Sequence, residues 1–200
     1  MDEQDLIKGA MEVVLRPIVS ITEDVLGRAG GDWLHEVRTR NRKRLHDRTE
    51  ELLRNRKVTD PVEPSTNVLL PILAFAQDEQ AEEVLEFWAQ LLASSIDKER
   101  RKNFRKRFVD AISQMDALDA RVMSNFRCTS EEFEYRADRR REFAVPPLPR
   151  MAELLEQHIP VPEARIQVSL ENLARLGLLS GDFRRATAFG TEFLDFVLAS

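Results

Sequence analysis

Apolar residues recur at helical spacing along most of the chain. The first stripe takes steps of three or four residues between positions 7 and 25, as one face of an amphipathic helix requires. It consists of Ile7, Met11, Val14, Ile18, Ile21 and Val25. Pro17 predicts a kink or a restart near residues 13–17, and Gly30 and Gly31 end the segment. Its polar face carries Asp5, Glu12, Glu23 and Asp24, so we expect the stripe to pack in a core rather than on anionic lipid.

The next segment predicts a helix with a thin apolar stripe and a basic surface. Asp32 is placed to cap this helix, which begins at Trp33. Between Arg38 and Lys57 nine basic residues stand against three acidic ones, so most of the surface faces water. The apolar stripe consists of Leu34, Val37, Leu45 and Leu52.

Two further helices are predicted between residues 66 and 97. The first, around "VLLPILAFA", is almost wholly apolar and is expected at the centre of a bundle, with Pro71 either in its opening turn or at a kink. The second begins with acidic residues and is followed by basic ones, the polarity that a helix macrodipole favours. Its apolar stripe consists of Ala81, Val84, Leu85, Trp88, Leu91 and Leu92.

The densest basic block follows, with seven basic residues between Lys98 and Arg107. Phe104, Phe108 and Ile112 stand four residues apart and predict a helix that starts near Asn103. Asp116 is placed to cap another helix. Because the phenylalanines face the core in this interpretation, base stacking on single-stranded nucleic acid is disfavoured.

The carboxyl-terminal part has the outline of a winged helix. Pro162 and Gly177 bracket one helix, "LLSGDFRRAT" predicts two short strands around Gly181, and Thr187 is placed to cap a last helix. The face of the first helix that points away from the core is predicted near Arg165, Ser169, Asn172 and Leu176.

The pattern therefore predicts an all-α protein. We expect a helical bundle over residues 1–127, an irregular charged and proline-rich connection over 128–148, and a small winged-helix-like module with a short β-hairpin over 149–200. A charged fraction of 32% and only seven glycines agree with long solvated helices. The single cysteine, Cys128, excludes an intrachain disulfide. No apolar run reaches the roughly 20 residues of a spanning helix, and the acidic amino terminus is unlike a secretory signal, so we expect a cytoplasmic protein.

Three separated blocks resemble one bacterial family. They are "GDWLHEVRTRNRKRL", "LLPILAFAQDEQAEEVLEFWAQLLASSID" and "FVDAISQMDALDARVM", the last followed by "SLENLARLGLL" and "TAFGTEFL". Their order and content resemble Abi-alpha, a family named for abortive infection, in which a phage-infected cell stops growing or dies. The resemblance runs from about Ile7 to Val197, and its most specific element is Trp88-Ala89 followed by Leu91, Leu92 and Ala93. It implies a role in phage defence and supplies no catalytic residues.

The preferred functional hypothesis is a non-enzymatic defence or regulatory protein that acts through protein contacts. The expected contact surface consists of Arg38, Arg40, Arg42, Lys43 and Arg44. The scattered histidines and glycines form neither a zinc-ligand pattern nor a phosphate-binding loop, so we expect no metal and no cofactor. A homo-oligomer is compatible with the pattern.

One alternative is DNA binding by the carboxyl-terminal module together with the 98–107 block. The nucleic-acid contacts would be Arg100, Arg101, Lys102, Arg105, Lys106, Arg165, Asn172, Arg184 and Arg185. The helix before the predicted wing has no net charge, however, and a DNA-binding surface normally carries uncompensated cations.

A second alternative is a metal-independent ribonuclease. "RNRKRLH" runs from Arg40 to His46 and is similar to the active-site pattern of the all-helical HEPN ribonucleases. In that chemistry the arginine would hold the scissile phosphate while the histidine moves a proton to or from the ribose 2′-hydroxyl.

Overall fold

The computed structural model describes residues 32–126 and 151–197. The predicted helix over residues 7–25 and the predicted connection over 128–148 lie outside the described residues, as does Cys128. No helix of the described part is long and apolar enough to cross a membrane.

Helices account for most of the described chain, and the prediction of an all-α protein is confirmed. They are α1 (Asp32–Asn55), α2 (Thr66–Ala76), α3 (Glu82–Ile96), a 3-10 turn (Arg101–Asn103), α4 (Lys106–Ile112), α5 (117–126), α6 (Met151–Glu156), α7 (Glu163–Arg175) and α8 (Ala188–Val197). Within residues 32–126 and 151–197 there is no β-strand, only isolated antiparallel bridges between Pro61 and Asp97 and between Leu179 and Ala186.

The chain forms two compact units. Of the described residues, the first unit comprises 32–114 with 196–197, and the second comprises 115–126 with 151–195. Helix α5 therefore belongs with α6 and α7, whereas the sequence groups it with the amino-terminal bundle. The domain limits of 127 and 149 drawn from the sequence remain a prediction.

Helix α3 is the centre of the first unit. It packs against α1, α2, α4 and the 3-10 turn, and every residue from Phe87 to Ile96 except Gln90 is buried. The sequence instead placed α2 at the centre, and that prediction was wrong, because Leu70 and Phe75 of α2 are each more than 40% exposed. Pro71 lies in the interior of α2, beyond its opening turn.

The second unit is organised around a buried carboxylate. Asp116 and Asp119 cap the start of α5 reciprocally, because each side chain accepts a hydrogen bond from the other's backbone N–H, at 2.8 and 3.1 Å. The cap predicted for Asp116 is thus confirmed. Asp119 also accepts hydrogen bonds from Ser169 Oγ and Asn172 Nδ2 of α7, both at 2.6 Å. The single carboxylate therefore ties α5 to α7.

The ends of α7 and α8 follow the sequence signals. Pro162 precedes α7, and Gly177 follows it with a φ of 79°, a left-handed conformation that favours glycine. Thr187 Oγ1 accepts a hydrogen bond from Gly190 N at 2.9 Å, which confirms the predicted cap of α8. Gly190 itself is required by packing, because a β-carbon there would overlap the carbonyl group of Leu178.

The predicted hairpin is reduced to the single bridge between Leu179 and Ala186. Side chains bind the intervening backbone, since Ser180 Oγ accepts from Arg185 N at 3.2 Å and Asp182 Oδ1 accepts from Arg184 N at 3.3 Å. Phe183 has a φ of 58°. Two backbone hydrogen bonds also cross the turn, from Ser180 N to the carbonyl oxygen of Arg185 at 2.8 Å and from Thr187 N to that of Leu178 at 2.9 Å. The helical elements of the expected module are present, and its winged-helix character remains a prediction.

Candidate contact surface on the arginine-rich helix

The arginines of α1 form a ladder of contacts with α3 and with the loop before it. Arg38 binds Asp78 with two hydrogen bonds, of 2.6 and 3.0 Å, and this carboxylate raises the pKa of the guanidinium. Arg44 forms an ion pair with Glu82. Arg48 binds Glu86 with two hydrogen bonds, of 2.6 and 2.9 Å, and contacts Glu51 of its own helix. We call these contacts, together with Arg56, the arginine ladder.

The register of the ladder shows that α1 and α3 run parallel. Arg44 and Glu82 are 38 residues apart, as are Arg48 and Glu86 and also Arg56 and Ser94. A constant separation means that both helices advance together along one direction. The signal for this pairing was present in the sequence as the shared four-residue spacing of Arg44 with Arg48 and of Glu82 with Glu86, and sequence reasoning missed it.

Arg56 ends the ladder without an acidic partner. Its Nη1 donates to Ser94 Oγ at 2.9 Å, and its Nη2 donates to Gln90 Oε1. Nε is buried without a hydrogen-bond partner. Burial lowers the pKa of Arg56 to about 10, and the neighbouring charge of Arg100 acts in the same direction, so the group is still a cation at neutral pH.

Asn41 anchors the loop between α2 and α3. Its buried side-chain Nδ2 donates to the carbonyl oxygens of Gln77 at 3.0 Å and Glu79 at 2.6 Å. Glu79 Oε1 in turn accepts from the backbone N–H groups of Gln80 and Ala81 just before α3. The loop is therefore held by side chains on both sides.

A cavity of about 370 Å³ opens between this loop and the first turns of α1. Its lining residues are Trp33, Glu36, Val37, Arg40, Asn41, Arg44, Glu79 and Gln80. Trp33 is 69% exposed. Arg40 is exposed and makes no ion pair or hydrogen bond with the residues that the structure describes. Because Trp33 and Arg40 are seven residues apart, they share one face of α1.

The five residues of the expected contact surface differ in whether their side chains bind within the protein. Arg38 and Arg44 belong to the ladder. Arg42 binds its own helix, with Nε donating to the carbonyl oxygen of Arg38 at 3.3 Å. Arg40 and Lys43 are exposed, and among the described residues neither has a side-chain partner. The surface open to another molecule is therefore narrower than the basic composition of α1 indicates.

The 98–107 block is also largely paired within the first unit. Lys98 binds Asp60 at 2.6 Å, Arg100 lies 3.6 Å from Asp97, and Lys102 lies 3.3 Å from Glu99. Arg105 and Arg107 have interactions of their own, whereas Arg101 is exposed and Lys106 lines a second cavity.

Among the expected nucleic-acid contacts in the second unit, some side chains are paired and others are exposed. Asn172 is bound on both sides, by Asp119 at 2.6 Å and by Arg175 Nη2 at 2.7 Å. Ser169 is buried against Asp119, so its predicted exposure was wrong. Arg184 lies 3.9 Å from Asp182. Arg165 and Arg185 are exposed.

Arg40 and His46 lie on different faces of α1. Six residues at about 100° each place them roughly 120° apart around the helix. Arg40 lines the cavity beside Trp33, while His46 does not and lies 3.5 Å from Asp47 instead. Among the described residues no cluster of histidine, cysteine or carboxylate side chains could hold a metal ion.

Comparison with known proteins gives one result. The family model described as abortive infection alpha (Abi_alpha) matches residues 40–192, which is most of the chain. No curated protein and no solved structure matches it. The matched range contains the arginine ladder from Arg44 onwards, the buried Trp88-Ala89 pair and the Asp119 network. The chain belongs to the abortive infection alpha family.

Proposed function

We propose that this protein is a cytoplasmic, non-enzymatic component of abortive-infection-type phage defence or its regulation, and that it acts by binding a protein partner. Family membership supports the defence role. The observation that carries the contact role is the exposed indole of Trp33 beside the exposed guanidinium of Arg40, which has no partner among the described residues, at the mouth of a cavity. Tryptophan and arginine dominate the residues whose removal weakens protein–protein complexes most.

The ladder supports this proposal by making the surface rigid. Two-point binding of Arg38 to Asp78 and the buried amide of Asn41 fix α1 against the loop 77–81. Side chains on a fixed helix lose less conformational freedom when a partner binds. Arg38 and Arg44 thus have a framework role, and Trp33 and Arg40 are the proposed anchors, with Arg42 and Lys43 at the rim.

The test is a phage challenge of cells that carry the full-length protein or single variants. We expect Trp33→Ala and Arg40→Ala each to abolish growth arrest, while the thermal unfolding midpoint stays unchanged because both side chains are exposed. Arg101→Ala is the matched control, since it removes another exposed arginine of the first unit. Retained arrest in both Trp33→Ala and Arg40→Ala would refute the proposed site.

The same purified protein separates the two alternatives. Duplex DNA affinity that falls steeply between about 50 and 200 mM salt, and weakens in Arg101→Ala or Arg165→Ala, would favour a DNA-binding function. RNA cleavage that is lost in His46→Ala would favour a ribonuclease. We expect neither result.

A further inference from the structure

The first unit carries a second open surface, an apolar groove of about 460 Å³ between α2 and α4. We call it the α2–α4 groove. Its apolar walls are formed by Leu70, Pro71, Phe75, Phe104 and Val109. Leu70 is 42% exposed and Phe75 is 48% exposed. Neighbouring exposed apolar side chains of this size mark an interaction site more often than single ones do.

Helix α2 is largely apolar on its outward face as well as on its buried face. The buried side chains are those of Leu69, Ile72, Leu73 and Ala76. The opposite face consists of Thr66, Asn67, Leu70, Pro71, Ala74 and Phe75. None of the 11 residues of α2 is charged. Because a helix that is apolar on all sides is normally buried on all sides, the outward face of α2 is expected to be covered by another surface.

The walls of the groove are fixed by core aromatic rings. Phe75 stacks on the buried Trp88 with ring centroids 5.7 Å apart and planes 5° from parallel. Phe104 packs edge-on against Phe108 at 6.5 Å and Phe196 at 6.0 Å. The groove is therefore preformed, and a partner would not have to order it.

The rim of the groove carries one charge of each sign. Lys106 and Asp110 both line it, four residues apart on one face of α4. Both side chains are exposed, and among the described residues neither has a hydrogen bond or an ion pair. An acidic partner surface would pair with Lys106 and leave Asp110 without a partner, and a basic surface would do the reverse. The surface that fits therefore bears one acidic and one basic group at the same spacing.

We propose that the α2–α4 groove is the interface of a symmetric dimer, in which a second copy of the chain covers α2. In a two-fold interface the same patch of both copies meets, so residue i contacts residue j and j contacts i. A two-fold axis between Lys106 and Asp110 sets each lysine against the aspartate of the other copy and pairs all four charges. The uncharged face of α2 then lies at the centre of the contact, where interfaces are depleted of charged residues.

The dimer also accounts for the sequence of α2. The apolar run "VLLPILAFA" predicts a helix enclosed on every side, whereas in the first unit α3 is enclosed and α2 is not. In the dimer α2 is covered by its own unit on one face and by the second copy on the other. The groove shares no lining residue with the Trp33–Arg40 cavity, so this proposal and the proposed function can fail separately.

Sedimentation equilibrium of the full-length protein tests the dimer. We expect the wild type to dimerise between about 1 and 100 μM. Leu70→Asp should raise the dissociation constant at least about 100-fold, because each copy loses an apolar contact and buries a carboxylate instead. Trp33→Ala should dimerise as the wild type does. A wild-type protein that stays monomeric over this range overturns the proposal, and so does a dimer that Leu70→Asp leaves intact.

Charge reversal tests the two-fold pairing without changing the core, because both side chains are exposed. Lys106→Asp and Asp110→Lys each place two like-charge pairs across the interface, so each variant alone should dimerise at least about tenfold more weakly than the wild type. Mixed with each other, the two variants restore two pairs of opposite charge and should form a heterodimer. Lys43→Asp is the matched control, because Lys43 is an exposed lysine that does not line the groove.

The mixture gives the decisive result. If it associates no more strongly than either variant alone, the two-fold pairing is wrong and the proposal is overturned. Reversal variants that dimerise as tightly as Lys43→Asp also overturn it, since the copies would then meet through another surface. This arm does not depend on Leu70→Asp, and it decides alone if that variant unfolds.

Discussion

The two compact units hold their helices together with polar side chains of opposite kinds. In the first unit, several arginines of α1 bind carboxylates at positions that water still reaches. In the second unit one carboxylate, Asp119, is only 3% exposed and receives hydrogen bonds from three donors. One network is spread over about three turns of α1, from Arg38 to Arg48, and the other is concentrated at one residue.

The difference shows that the number of charges is a poor guide to where the stabilising free energy lies. An exposed ion pair contributes about 0–1 kcal/mol, because water and salt compete with both partners. A buried acceptor whose removal leaves several donors unpaired costs about 1–3 kcal/mol for each group. We therefore expect the stability of the second unit to depend more strongly on a single polar side chain than the stability of the first unit does.

The largest effect is expected from Asp119→Ala. The variant leaves Ser169 and Asn172 without their acceptor and removes one half of the α5 cap, so we expect a loss of about 3 kcal/mol in the free energy of unfolding. Urea unfolding with an unchanged m-value measures it. Asp116→Ala is the control, since it removes only the exposed half of the cap and should cost about 1 kcal/mol. Equal losses in the two variants would contradict the role given to the Asp119 network.

A smaller effect is expected within the arginine ladder. A double-mutant cycle on Arg48 and Glu86 should give a coupling energy of about 1 kcal/mol, since two charge-assisted hydrogen bonds join half-exposed partners. The same cycle on Arg44 and Glu82 is the matched control, because that pair has the same 38-residue separation but is more exposed. It should give about 0.3 kcal/mol. A larger coupling energy for Arg44 and Glu82 than for Arg48 and Glu86 would contradict the expectation that exposure weakens these pairs.

The pH dependence of stability tests the Asp119 network directly. Burial raises the pKa of Asp119, which its hydrogen bonds from Ser169, Asp116 and Asn172 only partly offset. The folded state thus holds this proton more tightly than the unfolded chain does. Its contribution to stability is greatest in acid and falls as the pH rises from the ordinary carboxyl pKa through the raised one. In urea unfolding from pH 3 to 7, the free energy of wild type minus that of Asp119→Asn should therefore decrease with pH. An increase would show that hydrogen bonding dominates burial.

Local signals in the sequence predicted local structure well. The caps of α5 and α8 and the Pro162–Gly177 bracket of α7 depend on residues within one turn of the helix end, and all three are confirmed. The hairpin also depended on a local signal. Two backbone hydrogen bonds cross the turn, from Ser180 N to the carbonyl oxygen of Arg185 and from Thr187 N to that of Leu178, but the pairing does not extend beyond the single bridge between Leu179 and Ala186.

Contacts between distant segments could not be predicted in the same way. Asp119 and Ser169 are 50 residues apart, and Arg48 and Glu86 are 38 residues apart. Periodicity shows that Asp119 lies on α5 but not which helix packs beside it. The candidate site shares this limit, because the sequence marked five basic residues as one surface while the fold pairs Arg38 and Arg44 internally. The exposure of Trp33 also depends on that packing.

The smallest change in the free energy of unfolding is expected for a substitution of Arg56, the residue of the arginine ladder whose surroundings are most like those of Asp119. Like Asp119, this group is substantially buried among neutral partners, and its Nε has none. Ser94 keeps a hydrogen bond to the carbonyl oxygen of Phe196, and Gln90 keeps one to Glu86, when Arg56 is removed. Arg56→Met should therefore change the free energy of unfolding by less than about 0.5 kcal/mol, because the lost hydrogen bonds are offset by the relieved desolvation of the cation. Urea unfolding of Arg56→Met and of Arg48→Met measures this. If Arg56→Met lowers the free energy of unfolding more than Arg48→Met does, the buried cation stabilises the first unit in the way that Asp119 stabilises the second.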